Sequence, residues 1–222
     1  MGDTIKLIAK DGFELSAYRA SPEGTPRAAL VLCQEIFGVN HHIRSIADGC
    51  AEEGYLAIAP ALFDRIERGV ELGYGPQDRP KAMELVGKTQ MDSALHDVGA
   101  AIEVAGKSGK VGVLGYCWGG TVAYAAACRL GGISAACGYY GGGIAKMRDE
   151  RPKVPLILHF GEYDQHIKMT DVEAIKRARP EVPVYIYPAD HGFNCEERSS
   201  YNEASAELAR TRTLTFFAEN LV

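Results

Sequence analysis

Two hydrophobic patterns alternate along this chain. Short runs of apolar residues, bounded by turn-forming positions, recur between longer stretches with helical periodicity. Ile5–Ala9 and Phe13–Ala20 flank Lys10-Asp11-Gly12, which predicts a hairpin closed by an Asp-Gly turn. Ala28–Cys33 (AALVLC) and Lys110–Leu114 (KVGVL) are continuously apolar apart from Lys110, the pattern of strands covered on both faces. Tyr55–Ala59, stopped by Pro60, together with Ile133–Cys137, Pro155–Phe160 and Val182–Tyr187, supplies further strands. Helices are predicted over His42–Glu53, Pro80–Gly106 with a break near Gly87, Gly119–Leu130, Thr170–Ala178 and Tyr201–Leu221. Leu62–Pro80, polar and rich in Gly and Arg, reads as a loop over one end of the sheet. Strands alternating with helices predict an α/β fold with a mainly parallel central sheet flanked by helices on both faces. No repeat, low-complexity tract or linker divides residues 1–222, so one domain is expected.

Composition narrows the function without naming it. Of 222 residues, 46% are hydrophobic and 24% charged, which is ordinary for a globular chain with a sizeable core. The formal charge of −5 argues against a nucleic-acid partner. No apolar run approaches the length of a bilayer span, and Met1–Lys6 has neither a signal-peptide nor a myristoylation pattern. A cytoplasmic monomer acting on a small molecule is the expectation. None of the cysteines forms a Cys-x-x-Cys pair, and a buried inert thiol is the default reading for each. His41 and His42 are adjacent and point apart on a helix, with no Cys or carboxylate cluster in sequence to complete a site, so no metal is expected. His96, His159 and His166 read as structural or surface residues.

Ligands of open α/β sheets sit beyond the carboxyl ends of the strands, so reactive residues just after strands carry the functional signal. Cys117 stands out. It follows the strand KVGVL, precedes a helix, and sits in Gly115-Tyr116-Cys117-Trp118-Gly119-Gly120, a nucleophile-elbow pattern with Cys in place of Ser. The helix N-terminus that starts there favours a thiolate. A base and an orienting acid are expected downstream in the order acid, then histidine. Asp164, in Gly161–Asp164, and His191, in Ala189–Phe193, follow strands in that order, with Glu162 and Asp190 as rival acids. The backbone N–H groups of Ile36 and Trp118 are the candidate oxyanion hole. Glu35 has two readings from the residues alone: a solvated loop carboxylate, or a second proton acceptor beside the thiol.

With these residues in view, the chain resembles the dienelactone hydrolase (carboxymethylenebutenolidase) family of α/β-hydrolases from end to end. The matching marks are QEIFG at Gln34–Gly38, PALF at Pro60–Phe63, GYCWGG at Gly115–Gly120, GYYGGG at Gly138–Gly143, GEYD at Gly161–Asp164 and DHGF at Asp190–Phe193. The resemblance implies a Cys117–Asp164–His191 triad and a Glu35 that pairs with the resting thiol. It also implies an acyl-thioester intermediate without metal or cofactor, and a pocket lined by Tyr139 and Phe193. The family binds the substrate carboxylate with arginines, one of them shortly after the catalytic histidine. Here that stretch reads Phe193-Asn194-Cys195-Glu196-Glu197-Arg198, with no arginine at the expected place. Arg198 would have to reach inward past two glutamates, and Arg79 is a candidate second anion contact. A neutral ester therefore stays open as substrate. So does a glutamine amidotransferase-like cysteine enzyme, which the Gly192-Phe193 following His191 counts against.

Overall fold

The computed structural model describes residues 2–222. Its strands are β1 (Asp3–Ile8), β2 (Glu14–Ala20), β3 (Ala28–Cys33), β4 (Tyr55–Pro60), β5 (Val111–Tyr116), β6 (Ala135–Tyr139), β7 (Leu156–Gly161) and β8 (Val184–Tyr187). The helices are α1 (His41–Glu52), α2 (Arg79–Lys88), α3 (Met91–Ala105), α4 (Trp118–Arg129), α5 (Ile144–Met147), α6 (Met169–Ala178) and α7 (Glu203–Leu221). The strands form one eight-stranded sheet in the order β1-β2-β4-β3-β5-β6-β7-β8. The hairpin and its junction with β4 are antiparallel, and every other pairing is parallel. The Asp-Gly turn forms as expected, with Gly12 at φ 83°. Among the described residues, no helix is long and apolar enough to cross a membrane.

The continuous apolar runs are strands packed from both sides. All residues of β3, β4 and β5 are buried. Alternation along β5 assigns its faces. Leu114 and Tyr116 look towards α1 and α7, and a Cβ on Gly112 would stand 2.8 Å from the Phe217 ring of α7. The side of Gly115 instead meets α4, which together with α3 covers the other face.

Three boundaries differ from the sequence expectation. The long helical stretch breaks at Thr89-Gln90 between α2 and α3, and Gly87 lies inside α2. The short helix α5, too brief to show a period, forms after the glycine run that ends at Gly143. β6 runs two residues later than the apolar run Ile133–Cys137 suggests, because its register with β5 pairs Tyr139 with Tyr116. That slip places Tyr139 inside the sheet.

Candidate active site

β5 delivers Cys117 to the carboxyl edge of the sheet, and α4 begins at the next residue. Cys117 has φ 55° and ψ −119°, a backbone conformation that L-residues rarely adopt. The flanking glycines explain how the turn fits. A Cβ on Gly115 would fall 1.9 Å from the carbonyl oxygen of Gly119, and one on Gly119 would fall 2.1 Å from that of Cys33. The second clash shows how closely the end of β3, and hence the QEIFG segment, lies against the elbow. The Cys117 N–H donates to the Tyr139 carbonyl at 3.0 Å, pinning the turn to β6.

The sulfur of Cys117 stands 3.1 Å from Nε2 of His191, and Nδ1 of His191 stands 2.7 Å from Oδ2 of Asp164. The other carboxylate oxygen, Oδ1, accepts the N–H groups of His166 and Ile167 at 2.8 and 3.0 Å. Burial opposes a charge on Asp164, but the hydrogen bond and charge of His191, helped by these two N–H groups, outweigh it and hold its pKa below the usual carboxylate value. Burial likewise opposes a cation on His191. The bonds to Asp164 and Cys117 overcome it and raise the imidazole to about 10. Of the rival acids, Glu162 is exposed, while Asp190 accepts the N–H groups of Gln165 and His191 and so shapes the loop.

Of the two N–H groups expected to form an oxyanion hole, those of Ile36 and Trp118, neither donates a hydrogen bond within the described residues. For Trp118 this is a consequence of opening a helix. Its indole, half-buried, stacks on Phe63 with ring centroids 5.4 Å apart.

Glu35 is fully buried, which removes the reading as a solvated carboxylate. Its Oε2 accepts the Tyr74 hydroxyl at 2.5 Å, and Oε1 faces Nη1 of Arg198 at 3.4 Å. No hydrogen bond joins it to Cys117, whose sulfur points to His191 instead. The pairing of Glu35 with the resting thiol is therefore not the arrangement found here. Tyr74 arrives from the Leu62–Pro80 stretch, which is tied down by Leu72 N–H to the Phe37 carbonyl and by the edge contact of Tyr74 with Phe37 at 4.6 Å. Gln34, also fully buried, accepts the Leu62 N–H and donates to the Glu35 carbonyl, joining the two loops. Neither Tyr74 nor Gln34 carries a sequence signal beyond its motif or loop.

Two expected pocket residues are corrected. Tyr139 is 1% exposed, with its hydroxyl on Thr213 and its ring beside His159, and Phe193 is 0% exposed. Both are core. The next residue, Tyr140, is equally buried, but it packs against the triad histidine. It has φ 37°, and its ring lies 5.0 Å from that of His191. Arg198 does reach inward despite Glu196 and Glu197. With Arg79, His166 and His191 it lines an open pocket of about 590 Å³, where Arg79 meets the His166 ring at 3.4 Å.

Comparisons with known proteins identify the family. The dienelactone hydrolase family matches residues 15–221 of the chain. Carboxymethylenebutenolidase of Pseudomonas putida is 34% identical over 227 residues, covering 96% of this chain and 95% of that enzyme. Carboxymethylenebutenolidase 1 of Cupriavidus pinatubonensis is 27% identical over 228 residues, covering 98% and 97%. Among solved structures, a proposed dienelactone hydrolase from Klebsiella pneumoniae superposes with a TM-score of 0.85 at 28% identity, covering 98% of this chain and 99% of that one. An esterase of Pyrococcus furiosus, at 14% identity and a TM-score of 0.74 over 99% and 93% of the two chains, shares the fold. The chain belongs to the dienelactone hydrolase family and is an α/β-hydrolase acting on ester or lactone bonds.

Proposed function

We propose that this enzyme opens a small lactone or ester bearing a carboxylate, through a Cys117–His191–Asp164 triad and an acyl-thioester. The observation that carries the reading is the unbroken chain of contacts from the Cys117 sulfur through His191 to Asp164. His191 takes the thiol proton, and the sulfur adds to the substrate carbonyl carbon. The resulting oxyanion sits against the Ile36 and Trp118 N–H groups. Collapse of this intermediate breaks the acyl C–O bond, and His191 returns its proton to the leaving oxygen. In a lactone that oxygen stays tethered to the acyl group. Water, deprotonated by His191, then attacks the thioester, releases the carboxylate product and regenerates Cys117. Asp164 holds the imidazole in the tautomer that presents Nε2 to the sulfur.

The two arginines at the pocket support an anionic substrate. Arg198 is held towards the site by Glu35, so in this reading Glu35 acts by placing the guanidinium and Tyr74 rather than by taking the thiol proton. The half-buried Trp118 indole, backed by the buried Phe63, offers an apolar face to the carbon skeleton. Cys117→Ala is expected to abolish turnover, and a reactive ester should leave an acyl mass on Cys117 after a burst. Activity retained in that variant, with no adduct on the wild type, would sink the triad. Arg198→Met should raise KM about tenfold or more for a carboxylate-bearing ester and leave its methyl ester unchanged. Equal effects on the two substrates would favour a neutral one.

A further inference from the structure

Behind the pocket, three buried side chains from separate segments converge. Glu35 follows β3, His42 opens α1, and Cys195 lies in the loop after His191. One ligating atom from each lies within 4.8 Å of the other two, and their exposures are 0%, 5% and 0%. His42 and its neighbour His41 do point apart: His41 pairs with Glu197 in solvent, while His42 turns inward. What the sequence hides is that a carboxylate and a thiol from distant loops meet His42 there. Moreover, Nε2 of His42 is buried without a hydrogen-bond partner among the described residues. Such a nitrogen leaves the cost of its desolvation uncompensated.

We propose that Glu35, His42 and Cys195 form a binding site for a zinc-class divalent cation. The donor set is one that a borderline-soft cation prefers: one sulfur, one imidazole nitrogen and one carboxylate oxygen. The spacing is near closure. With the three atoms no more than 4.8 Å apart, a point equidistant from them in their plane lies at most about 2.8 Å from each, so bonds of ~2.0–2.3 Å ask each ligand to move by no more than about 0.5–0.8 Å. The charges balance, because thiolate, carboxylate and neutral imidazole together carry the two negative charges that a dication needs. The incoming cation displaces the Cys195 thiol proton to solvent, one per cation bound. The carboxylate has a site to spare, since the Arg198 contact at 3.4 Å is loose. Access and a fourth ligand come from solvent in a cleft of about 370 Å³ between α1 and α7, lined by His42, Asn194 and Glu196.

Cation binding draws Glu35 away from Arg198 and Tyr74 and so slows the hydrolase, a consequence that rests on the active-site reading above. The binding itself does not. The decisive experiment titrates Co2+ into the full chain carrying Cys117→Ala, which removes the nucleophile as a competing ligand. One Co2+ per chain is expected, with thiolate-to-cobalt charge-transfer absorption and the visible bands of a tetrahedral site. Adding Cys195→Ser should erase the charge transfer, and adding His42→Gln should weaken affinity by about tenfold or more. Should the Cys195→Ser protein fail to fold by circular dichroism, the His42→Gln titration decides. With native Cys117, Zn2+ should suppress ester hydrolysis and EDTA should restore it, whereas Cys195→Ser should hydrolyse normally and resist Zn2+. The proposal is overturned if the bands vanish with Cys117→Ala and persist with Cys195→Ser, which would put the cation on Cys117 and His191. Folded, hydrolytically active wild-type protein that takes up no stoichiometric Co2+ would overturn it equally. Active protein without cobalt binding leaves the hydrolase reading standing, and cobalt binding without hydrolysis leaves the cation site standing.

Discussion

His159 and His191 sit at the carboxyl halves of neighbouring chain segments, are both buried, and carry opposite charge preferences. His159, within β7, is 0% exposed and has its pKa pushed down to about 3, by burial first and by Arg212 second. His191, just beyond β8, is 8% exposed and is raised to about 10. The cost of burying an imidazolium acts on both, so partners make the difference. His159 meets only hydroxyls, Tyr187 at 2.7 Å and Thr213 at 3.1 Å. Each hydroxyl can donate or accept, so one ring nitrogen of a neutral His159 donates to its hydroxyl while the other accepts from its own. A neutral ring satisfies that network completely. His191 instead faces a buried carboxylate on one side and the Cys117 sulfur on the other. The same residue type is a neutral cross-link between hydroxyls in one place and the middle of a carboxylate–imidazole–thiol chain in the other.

The largest effect expected from disturbing this contrast follows Asp164→Asn. Removing the carboxylate while keeping the shape takes away what holds a proton on His191, and kcat/KM should fall by about 10³–10⁴ with the fold intact. A loss below about tenfold in steady-state hydrolysis would mean that the charge on His191 does not depend on Asp164.

The next effect is on stability against pH, where the two histidines act in separate windows. His191 binds its proton more tightly folded than unfolded, so its contribution is fully present below about pH 6.5 and is lost as pH rises towards 10. His159 binds its proton less tightly folded, so its contribution is present above about pH 6.5 and is lost as pH falls towards 3. Each term is on the order of a few kcal/mol. Melting temperatures measured from pH 4 to pH 10 should therefore lose part of their alkaline slope in His191→Gln and part of their acid slope in His159→Gln. Identical profiles for the two variants would remove the contrast.

The smallest effect concerns catalysis. His159→Gln should cost about 1–3 kcal/mol of stability through the broken hydroxyl network, yet leave kcat and its pH profile within about threefold of the native enzyme. A displaced pH–rate limb would show that His159 communicates with the triad.

Much of this site is legible in the amino-acid order alone. A strand, a Gly-flanked cysteine and a helix in succession are local features, and so is the order in which Asp164 and His191 follow their strands. Their local physics, a tight turn that tolerates no flanking Cβ, forces the residue types. The failures have physical causes as well. Tyr139 and Tyr140 are adjacent, identical and both buried, and only the tertiary placement of β6 and the residue after it decides that Tyr140 is the one packed on His191. The fold of residues 62–80 is stabilised by contacts to β3's loop rather than by any period of its own, so nothing local announces Tyr74 as the partner of Glu35.

By itself, then, the sequence determined the α/β class, the elbow at Cys117 and the acid and histidine that meet it, because strand burial, turn sterics and residue order are written in neighbouring positions. Only the tertiary structure decided which way Glu35 and Arg198 face, that Tyr139 and Phe193 are core, and that His42, Glu35 and Cys195 meet. Those outcomes depend on pairings between segments far apart in the chain. Their free energy comes from packing and partner charges that no local pattern encodes.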